Sequence, residues 1–393
     1  MKIAVITSGI LPVPAVQGGA VENLIDYYLE YNELHHLHDI TVYSVWHPDI
    51  VKHEALKSEV NHYEYFKTHS LWFRFCAKIY GLLHQDCYYF YQLEYFFECV
   101  IRKILRKQYD LIILENRPWL AIKLSRLCKT PIISHIHTNL VNRETEQKKA
   151  IIQATSKFLV VSEYIKKEIE SIDIKTNIQV VYNGLNPKQF NKDNIIPIPR
   201  SRYGFDEDDF VVIYTGRIVP QKGVKELLQA FQLLKEHKDI KLLVVGGDNF
   251  GDSVKSNVFL DELHNMAKEM DGKVKFTGFV PYSQLPAYLI LANVAVVPSH
   301  INEALGMSSI EAIAMGLPVI ATNDGGIPET LVNQHHILMD KKGELAEQIA
   351  NAILEIKKNP GSYAGNSLPN RFKYSSYTES FFNAVGSIIN AKS

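Results

Sequence analysis

The chain is poor in cysteine, and its few cysteines show no spacing typical of a metal or redox site. They are Cys76, Cys87, Cys99 and Cys128, and no two of them form a Cys-x-x-Cys pair. The pattern predicts neither a disulfide scaffold, nor a zinc ribbon, nor a thioredoxin-like redox site. Free thiols in a reducing compartment are the simplest interpretation.

Long apolar runs and an excess of one charge are also missing. No stretch of about eighteen apolar residues occurs, so no membrane-spanning helix is predicted. The opening MKIAVITSGI is too short to be a signal peptide, and Pro12 and Pro14 follow it closely. A formal net charge of -1 gives no reason to expect a nucleic-acid partner. We expect a cytoplasmic protein, and peripheral contact with the inner face of the membrane stays open.

Short runs rich in Val and Ile alternate with longer helical patterns. The predicted strands lie at 3–7, 40–44, 111–114, 132–135, 158–161 and 179–182 in the first half, and at 211–215, 241–245, 274–276, 294–297 and 319–322 in the second. Such runs are typical of parallel strands buried on both faces. Predicted helices, for example 222–235 and 308–315, separate them. Two series in one chain of 393 residues predict two doubly wound, Rossmann-like α/β domains facing across a cleft.

One segment has the composition of a linker. Residues 186–202 are rich in Pro, Asn and charge and show no clear period, which favours a break between domains. We therefore expect an N-terminal domain over 1–187 and a C-terminal domain over 200–370. Ligands in such sheets bind beyond the carboxyl ends of the strands, so the loops after strands are the places to search.

The stretch 63–107 stands out because aromatic and basic residues are mixed in it. It contains Trp72, Phe73, Phe75, Tyr88, Tyr89, Phe90, Phe96 and Phe97, with Lys67, Arg74 and Lys78 among them and Arg102, Lys103, Arg106 and Lys107 after them. Two amphipathic helices packing their aromatic side chains into the first domain would explain this composition. A surface for a lipid-linked acceptor or for peripheral membrane contact is the functional alternative.

The segment 298–329 carries the strongest signal for a binding site. It follows a predicted strand, and Glu303 lies in its loop, Gly306 near the start of a helix, and Glu311 about one turn inside that helix. The amides at the helix start, including those of Leu305 and Met307, suit a diphosphate. Carboxylates near a phosphate site repel the ligand unless they accept from hydroxyl groups. Glu303 and Glu311 are therefore predicted to bind sugar and ribose hydroxyls.

A second signal lies at 214–224. Gly216 turns the chain after a strand, and Arg217 and Lys222 follow before a helix. Two cations at the carboxyl end of a strand can neutralise a departing diphosphate. The order of a P-loop is absent; a pair of solvated cations is the alternative.

Two weaker signals lie in the first half. Gly18 and Gly19 open a helix after the first strand, which suits close approach of the backbone to phosphate or sugar. The dinucleotide pattern Gly-x-Gly-x-x-Gly is absent at this point, which counts against an oxidoreductase. His137 ends a later strand, and His135 shares its face of the sheet. Either imidazole can touch a sugar hydroxyl; a core histidine is the alternative for both.

Together these residues resemble the family-four retaining glycosyltransferases of the GT-B fold. The resemblance rests on Gly18-Gly19, His137, Asn183-Gly184, Gly216-Arg217, Lys222-Gly223, Glu303 with Glu311, and Gly325-Gly326. The resemblance covers nearly the whole chain. Within the family, the sequence is most similar to the bacterial members of the spore-coat-protein-SA type. The sequence departs from the family at Ala304-Leu305, where many members have Gly-Phe.

The resemblance implies a role for each matching residue. Arg217 and Lys222 match the cations on the donor diphosphate, Glu311 the carboxylate on the ribose, and Glu303 and His137 the groups near the transferred sugar. The backbone at Gly19, Val280, Leu305, Gly306 and Met307 would contact donor phosphate, sugar or base. It also implies that the final helix, about 371–393, crosses back to the first domain.

The implied reaction is transfer with retention at the anomeric carbon, without an enzymic nucleophile or a metal. The donor is expected to be a nucleotide sugar with UDP as the nucleotide, and the acceptor a glycan or lipid-linked hydroxyl in cell-envelope or polysaccharide biosynthesis. The one Asp-x-Asp pattern, Asp206 to Asp208, is predicted to be a turn before a strand. A sugar-nucleotide 2-epimerase and a non-catalytic sugar-nucleotide-binding protein are the alternatives, which incubation with donor alone and loss-of-function variants would separate.

Overall fold

The computed structural model describes residues 1–84, 89–247 and 258–390. Cys87 and Tyr88, both named above, lie outside the described residues. The chain divides into two compact units. The first comprises Met1–Tyr182 together with the chain from Tyr377 onward, and the second comprises Asn183–Ser376.

The first unit contains one parallel sheet with helices between its strands. The strands are β1 (Lys2–Ile6), β2 (Asp39–Val45), β3 (Asn61–Phe66), β4 (Leu111–Glu115), β5 (Ile132–Ile136), β6 (Lys157–Val160) and β7 (Ile178–Val180). The helices are α1 (Ala20–His35), α2 (Leu71–Leu83), α3 (Tyr91–Ile104), α4 (Leu120–Leu127), α5 (Lys148–Ala154) and α6 (Glu163–Glu170). Among the described residues the strand order is β3-β2-β1-β4-β5-β6-β7.

The second unit repeats this arrangement. Its strands are β8 (Phe210–Thr215), β9 (Ile240–Val245), β10 (Val274–Phe276), β11 (Val294–Val297), β12 (Val319–Thr322) and β13 (His336–Met339), in the order β10-β9-β8-β11-β12-β13 over the described part of the chain. Its helices are α7 (Val224–Leu233), α8 (Val258–Lys268), α9 (Leu285–Leu289), α10 (Met307–Ala314), α11 (Ile327–Thr330) and α12 (Leu345–Lys358). A last helix, α13 (Tyr374–Asn390), begins in the second unit and continues in the first.

Strand burial explains the apolar runs in the sequence. β1, β4, β5, β8, β11 and β12 lie inside their sheets and are covered on both faces, so almost every side chain in them is buried. Helices of each unit pack on these faces and share a core with the strands. They also pack on one another: Tyr28 of α1 stacks on Phe381 of α13 with ring centroids 4.2 Å apart. The prediction of two doubly wound α/β sheets is confirmed.

Two strands were absent from the prediction, and both are edge strands. β3 ends the first sheet and β13 ends the second. β3 has the sequence NHYEYF, and its aromatic residues were attributed to the helical stretch that follows. β3 has no continuous apolar run, because an edge strand has fewer buried positions. β13, with the sequence HILM, does contain a short apolar run and was overlooked.

The aromatic stretch forms β3 and two helices, and it packs only part of its aromatic residues inward. Phe73 and Ala77 of α2 and Phe96 and Phe97 of α3 lie in the core. α2 keeps other large apolar side chains on its surface, with Trp72 74% exposed. In the described part of the chain, no helix is both long enough and apolar enough to cross a bilayer.

The strand orders place a switch point in each sheet. In the first sheet the chain moves outward from β1 through β2 to β3 and then returns to the other side of β1 with β4. In the second sheet the same reversal occurs between β8 and β11. The carboxyl ends of the two strands that flank a switch point diverge and leave a crevice for ligands.

Candidate functional site

The crevice of the second unit lies between the ends of β8 and β11. Gly216 follows β8 with φ 145°, in a region that favours glycine. Ser308, in the first turn of α10, donates from its Oγ to the carbonyl of Thr215 at 2.9 Å. This hydrogen bond holds the start of α10 against the end of β8. Nothing in the sequence alone indicates this contact.

Lys222 and Glu303 form an ion pair across this crevice. Their side chains are 23% and 15% exposed, respectively. Ser299, just after β11, donates from its Oγ to the same carboxylate at 2.7 Å. The structure thus brings together two residues that the sequence assigned separately to the diphosphate and to the sugar.

The loop that carries Glu303 is fixed by a buried aspartate after β12. The amide of Asn302 donates to Asp324 Oδ2 at 2.6 Å, and the amide of Gly326 donates to the Glu303 carbonyl at 2.7 Å. Asp324 is also ion-paired with Lys341. Asn302 has φ 56°, so the loop needs these contacts to hold a left-handed residue in place.

Gly306 positions the N-terminus of α10. Its φ is 92°, and a Cβ there would lie 2.9 Å from Ile327 Cγ1. Among the described residues, the amides of Met307 and Ser308 have no backbone acceptor, which leaves them available to a ligand. The side chain of Leu305 is buried, so only its backbone can contact a ligand. The Met307 sulfur accepts from Asn183 Nδ2 at 3.6 Å.

Glu311 is buried inside α10. Burial raises the pKa of Glu311 to about 7, although a hydrogen bond with Tyr282 and the charge of Lys222 act in the opposite direction. The carboxyl group therefore titrates near neutral pH. A carboxylate at this place can accept hydrogen bonds from two hydroxyl groups of a ligand.

Arg217 and Val280 complete the second-unit residues that the sequence singled out. Arg217 is exposed, and its carbonyl accepts from the Tyr214 hydroxyl at 2.7 Å. Val280 is half-buried after the loop that follows β10. Asp206 and Asp209 form a turn before β8, in which the Asp206 amide donates to Asp209 Oδ2 at 2.7 Å.

In the first unit, Gly18 and Gly19 precede α1 in left-handed conformations. Their φ angles are 75° and 104°. A Cβ at Gly19 would collide with the carboxylate of Glu22, whereas one at Gly18 would meet no heavy atom nearby. Glu22 is buried, and its Oε1 accepts from Ser8 Oγ at 2.9 Å. Burial raises the pKa of Glu22.

His137 lies in a buried cluster with Glu115 and His135. Its Nε2 lies 2.8 Å from Glu115 Oε2, and His135 Nδ1 lies 3.1 Å from the same oxygen. Tyr28 donates its hydroxyl to Glu115 Oε1 at 3.0 Å. The register of β4 on β5 pairs Glu115 with His135, and His137 follows two residues later on the same face. The side chain of His137 is only 3% exposed, so it lies below the surface of its unit.

The charges in this cluster decide its protonation. Burial alone would raise the pKa of Glu115, but His135 and His137 outweigh it and lower this pKa to about 2. Burial, with His135 nearby, lowers the pKa of His137 to about 4. Glu115 is thus an anion and His137 neutral at neutral pH.

Among the described residues, Glu115, His135 and His137 form the one group with the spacing of metal ligands. However, the imidazole nitrogens contact the carboxylate directly at hydrogen-bonding distances. Each imidazole therefore already pairs with Glu115 through one of its two nitrogens, as in an imidazole–carboxylate network.

Several site residues were not found from the sequence. Glu115, Ser299, Tyr282 and Asp324 were assigned no role, although each holds a residue that was. Glu115 ends the apolar run of β4, and a carboxylate at the end of a buried strand is the signal that was available.

Two family models match the chain in succession. One, described as Glycosyltransferase Family 4, matches residues 31–189, and the other, described as Glycosyl transferases group 1, matches residues 196–379. The chain belongs to the family-four glycosyltransferases. The resemblance inferred from the motifs is thereby confirmed, and the protein is an enzyme of the transferase class.

This glycosyltransferase has bacterial relatives of similar length. It is 28% identical over 351 residues to the putative glycosyltransferase YtcC of Bacillus subtilis, covering 85% of this chain and 78% of that protein. It is 26% identical over 343 residues to spore coat protein SA of Bacillus subtilis, covering 84% and 83%. A shorter match, 30% over 182 residues, is to the lipopolysaccharide 1,2-N-acetylglucosaminetransferase of Salmonella typhimurium, covering 45% and 47%.

Solved glycosyltransferase structures share the fold. HepE of Anabaena in complex with UDP and glucose has a TM-score of 0.70 at 19% identity and covers 98% of this chain and 100% of that one. The sucrose-phosphate synthase of Thermosynechococcus elongatus has a TM-score of 0.74 at 20% identity, with 100% of both chains covered. At these identities the likeness shows the GT-B architecture alone.

Proposed function

We propose that the enzyme transfers a sugar from a UDP-sugar to a hydroxyl group of a glycan or lipid-linked acceptor, with retention at the anomeric carbon. The observation that carries this proposal is the crevice between β8 and β11, where cations, carboxylates and helix amides converge. The UDP bound to HepE supports the choice of donor, and the name of the Salmonella relative, a lipopolysaccharide N-acetylglucosaminetransferase, supports the acceptor class.

The cations match the charge that develops during the reaction. As the bond between sugar and diphosphate breaks, negative charge accumulates on the leaving diphosphate. Arg217 and Lys222 would act on that charge, and the amides of Met307 and Ser308 would add hydrogen bonds at the start of α10. Side-chain cations at this place remove the need for a divalent ion, so we propose a metal-independent transfer.

The carboxylates match the hydroxyl groups of the donor. Glu311, one turn inside α10, would accept from the ribose hydroxyls, and Glu303 would accept from the transferred sugar. The ion pair with Lys222 holds the Glu303 side chain next to a cation that would bind the diphosphate. Family resemblance adds His137 as a group for the sugar, and Gly18, Gly19, Gly216 and Val280 as places where backbone approaches the donor.

A thermal-shift screen over nucleotide sugars tests the donor. We expect one UDP-sugar to raise the melting temperature, since a ligand that binds only the folded state stabilises it. Arg217→Ala should abolish this shift while Arg126→Ala, an exposed arginine in α4, should keep it. If no nucleotide sugar shifts the wild type, the donor assignment is wrong.

Product analysis tests the reaction. Nuclear magnetic resonance of the product would give the anomeric configuration, and an inverted product would contradict retention. Incubation with donor alone separates the 2-epimerase alternative, because an epimerase would form an epimer of the donor without acceptor.

We also propose that α2 brings the enzyme to an anionic membrane surface. Trp72, Phe75, Ile79 and Leu82 recur at intervals of three and four residues, and all four are exposed. Two further exposed residues of α2 are basic, Arg74 and Lys78, and neither forms an ion pair with a described residue. α2 contains no acidic residue. An apolar face flanked by lysine and arginine suits the interface of anionic lipids.

Vesicle flotation tests this contact. The wild type should float with phosphatidylglycerol vesicles and less with phosphatidylcholine vesicles, and Trp72→Ser with Phe75→Ser should abolish flotation. Leu233→Ser, which changes a 56% exposed leucine of α7, is the matched control. Equal flotation of all three proteins would contradict the proposal.

A further inference from the structure

The crevice of the first unit, between the ends of β1 and β4, contains a buried arginine. Arg117 follows β4 and is 9% exposed. Its Nε donates to the carbonyl of Ser8, which follows β1, at 2.9 Å, and its Nη1 donates to the carbonyl of Asn116 at 3.1 Å. The guanidinium therefore bridges the two strand ends that flank the switch point of the first sheet.

This guanidinium has no carboxylate partner among the described residues. Burial lowers the pKa of Arg117, and Glu22 opposes this from nearby without forming an ion pair. The Glu22 carboxylate instead accepts from Ser8 Oγ. Arginine remains charged even so, and a buried cation without a counterion is costly unless a ligand supplies the negative charge.

The surroundings leave one edge of the guanidinium for a ligand. Nε and Nη1 are occupied by the two carbonyls, whereas Nη2 donates to no described residue. The ring of Tyr89 lies against the guanidinium, with its centroid 5.3 Å from Arg117 Cζ. Backbone acceptors on one side and an aromatic ring on another fix the orientation of the side chain, which favours recognition of an anion.

Tyr89 links this arginine to the exposed apolar helix. It lies two residues before the start of α3, and α3 packs with α2 around a shared core that includes Phe73 and Phe97. Tyr89 also packs against Phe97, with ring centroids 5.5 Å apart. The pair of helices α2 and α3 therefore presents the apolar surface of α2, and the segment that leads into α3 contacts the guanidinium through Tyr89.

We infer that Arg117 binds the phosphate that joins a lipid to the acceptor glycan. The inference rests on the proposed function, since it assigns the acceptor of that reaction to a chemical class. The apolar surface of α2 would receive the lipid, and the guanidinium would pair with a phosphate oxygen at the crevice. A neutral acceptor would leave the cation unpaired.

Binding measurements in the presence of saturating UDP test the anion directly, because UDP occupies the cations of the second unit. Octyl phosphate, methyl phosphate and octyl glucoside are the probes, and titration calorimetry gives their dissociation constants. We expect octyl phosphate to bind more tightly than the other two. Arg117→Gln should weaken octyl phosphate about 10- to 100-fold and leave octyl glucoside unchanged.

Two further variants make the result specific. Arg126→Gln removes an equal charge from an exposed position of α4 and should change none of the constants. Arg117→Lys keeps the positive charge, so it should retain part of the affinity for octyl phosphate. A purely structural role of Arg117 would not explain an affinity that follows the charge. The melting temperature of each variant shows whether it folds. Should Arg117→Gln not fold, the comparison of Arg117→Lys with the wild type decides.

Three outcomes overturn the inference. Equal losses for octyl phosphate and octyl glucoside would mean a structural role. Equal binding of methyl and octyl phosphate would mean a soluble phosphate ester instead of a lipid. Unchanged binding of octyl phosphate in Arg117→Gln would show that Arg117 does not bind the phosphate. The proposed function fails separately, by an absence of donor binding or of sugar transfer, while these constants still stand.

Discussion

His137 Nε2 lies 2.8 Å from Glu115 Oε2, and both side chains are buried at the carboxyl ends of neighbouring strands. Because His137 is neutral at neutral pH, its Nε2 carries the proton that it donates to Glu115, and Nδ1 keeps a lone pair. Nδ1 is buried and has no partner among the described residues. Glu115 therefore fixes the tautomer in which His137 can accept a hydrogen bond.

This relationship predicts that Glu115 acts through His137. Glu115→Gln keeps the size of the side chain but can present an amide N–H to the imidazole, which favours the other tautomer. We expect kcat to fall about 10- to 100-fold with the donor KM nearly unchanged, measured by steady-state kinetics. In His137→Ala, Glu115→Gln should cause little further loss. Independent, additive losses would mean that Glu115 only supports the fold.

A second prediction concerns the ion pair of Lys222 and Glu303. Lys222→Ala should raise the donor KM and lower kcat, because it removes the partner of Glu303 and the cation proposed to bind the diphosphate. A double-mutant cycle with Glu303→Gln on donor binding should give a coupling energy of about 1 kcal/mol or more. The pair Lys225 and Glu262, 2.6 Å apart and exposed, is the control and should couple by less than about 1 kcal/mol. Equal coupling in both pairs would contradict a special role for Glu303.

A third prediction follows from the raised pKa of Glu311. The folded protein holds a proton on this carboxyl up to about pH 7, whereas the unfolded chain loses it near 4.5. Between these values the folded state binds more protons, so the free energy of unfolding falls as pH rises. Glu311→Gln removes this dependence and should stabilise the unliganded enzyme at pH 8 by on the order of 2–3 kcal/mol, measured by urea unfolding.

The same substitution should weaken the donor. In the proposed function the ribose hydroxyls would donate to the ionised carboxyl, so UDP should bind the wild type more tightly as pH rises towards and through 7. Glu311→Gln should bind UDP weakly and without this pH dependence, measured by calorimetry between pH 5.5 and 8.5. An unaltered pH profile in Glu311→Gln would assign the titration to another group.

The strands that are buried along their whole length could be predicted from the sequence. β8 and β11 are buried on both faces, so their Val-rich runs identified them, and the glycine and charged residues after them placed the crevice. β3 lies at a sheet edge and carries mixed side chains, so no continuous apolar run marked it. β13 has the sequence HILM, and its short apolar run was not recognised as a strand. A single sequence shows an edge strand only through weak alternation.

Contacts between strands were beyond the sequence for a different reason. Glu115 meets His135 and His137 because β4 lies beside β5 in one particular register, and nothing local to either strand states that register. The pairing of Lys222 with Glu303 and the bridge from Arg117 to Ser8 likewise join residues far apart in the chain. The sequence shows which functional side chains the protein has. The strand order of the sheets determines which of these side chains lie in contact.

The last prediction concerns Gly306, whose backbone conformation positions the start of α10. Its φ of 92° disfavours any side chain, and a Cβ would press on Ile327 Cγ1 at 2.9 Å. Gly306→Ala should therefore shift the start of α10 and misplace the amides of Met307 and Ser308. We expect the dissociation constant of UDP to rise about 10-fold or more, with a lower melting temperature.

Gly361→Ala is the control for this substitution. A Cβ at Gly361 meets no heavy atom, so the variant should change neither the dissociation constant nor the melting temperature. Because Ile327→Ala removes the clash but not the backbone strain, adding it to Gly306→Ala should restore only part of the affinity. Full affinity in Gly306→Ala alone would mean that the α10 amides do not bind the donor.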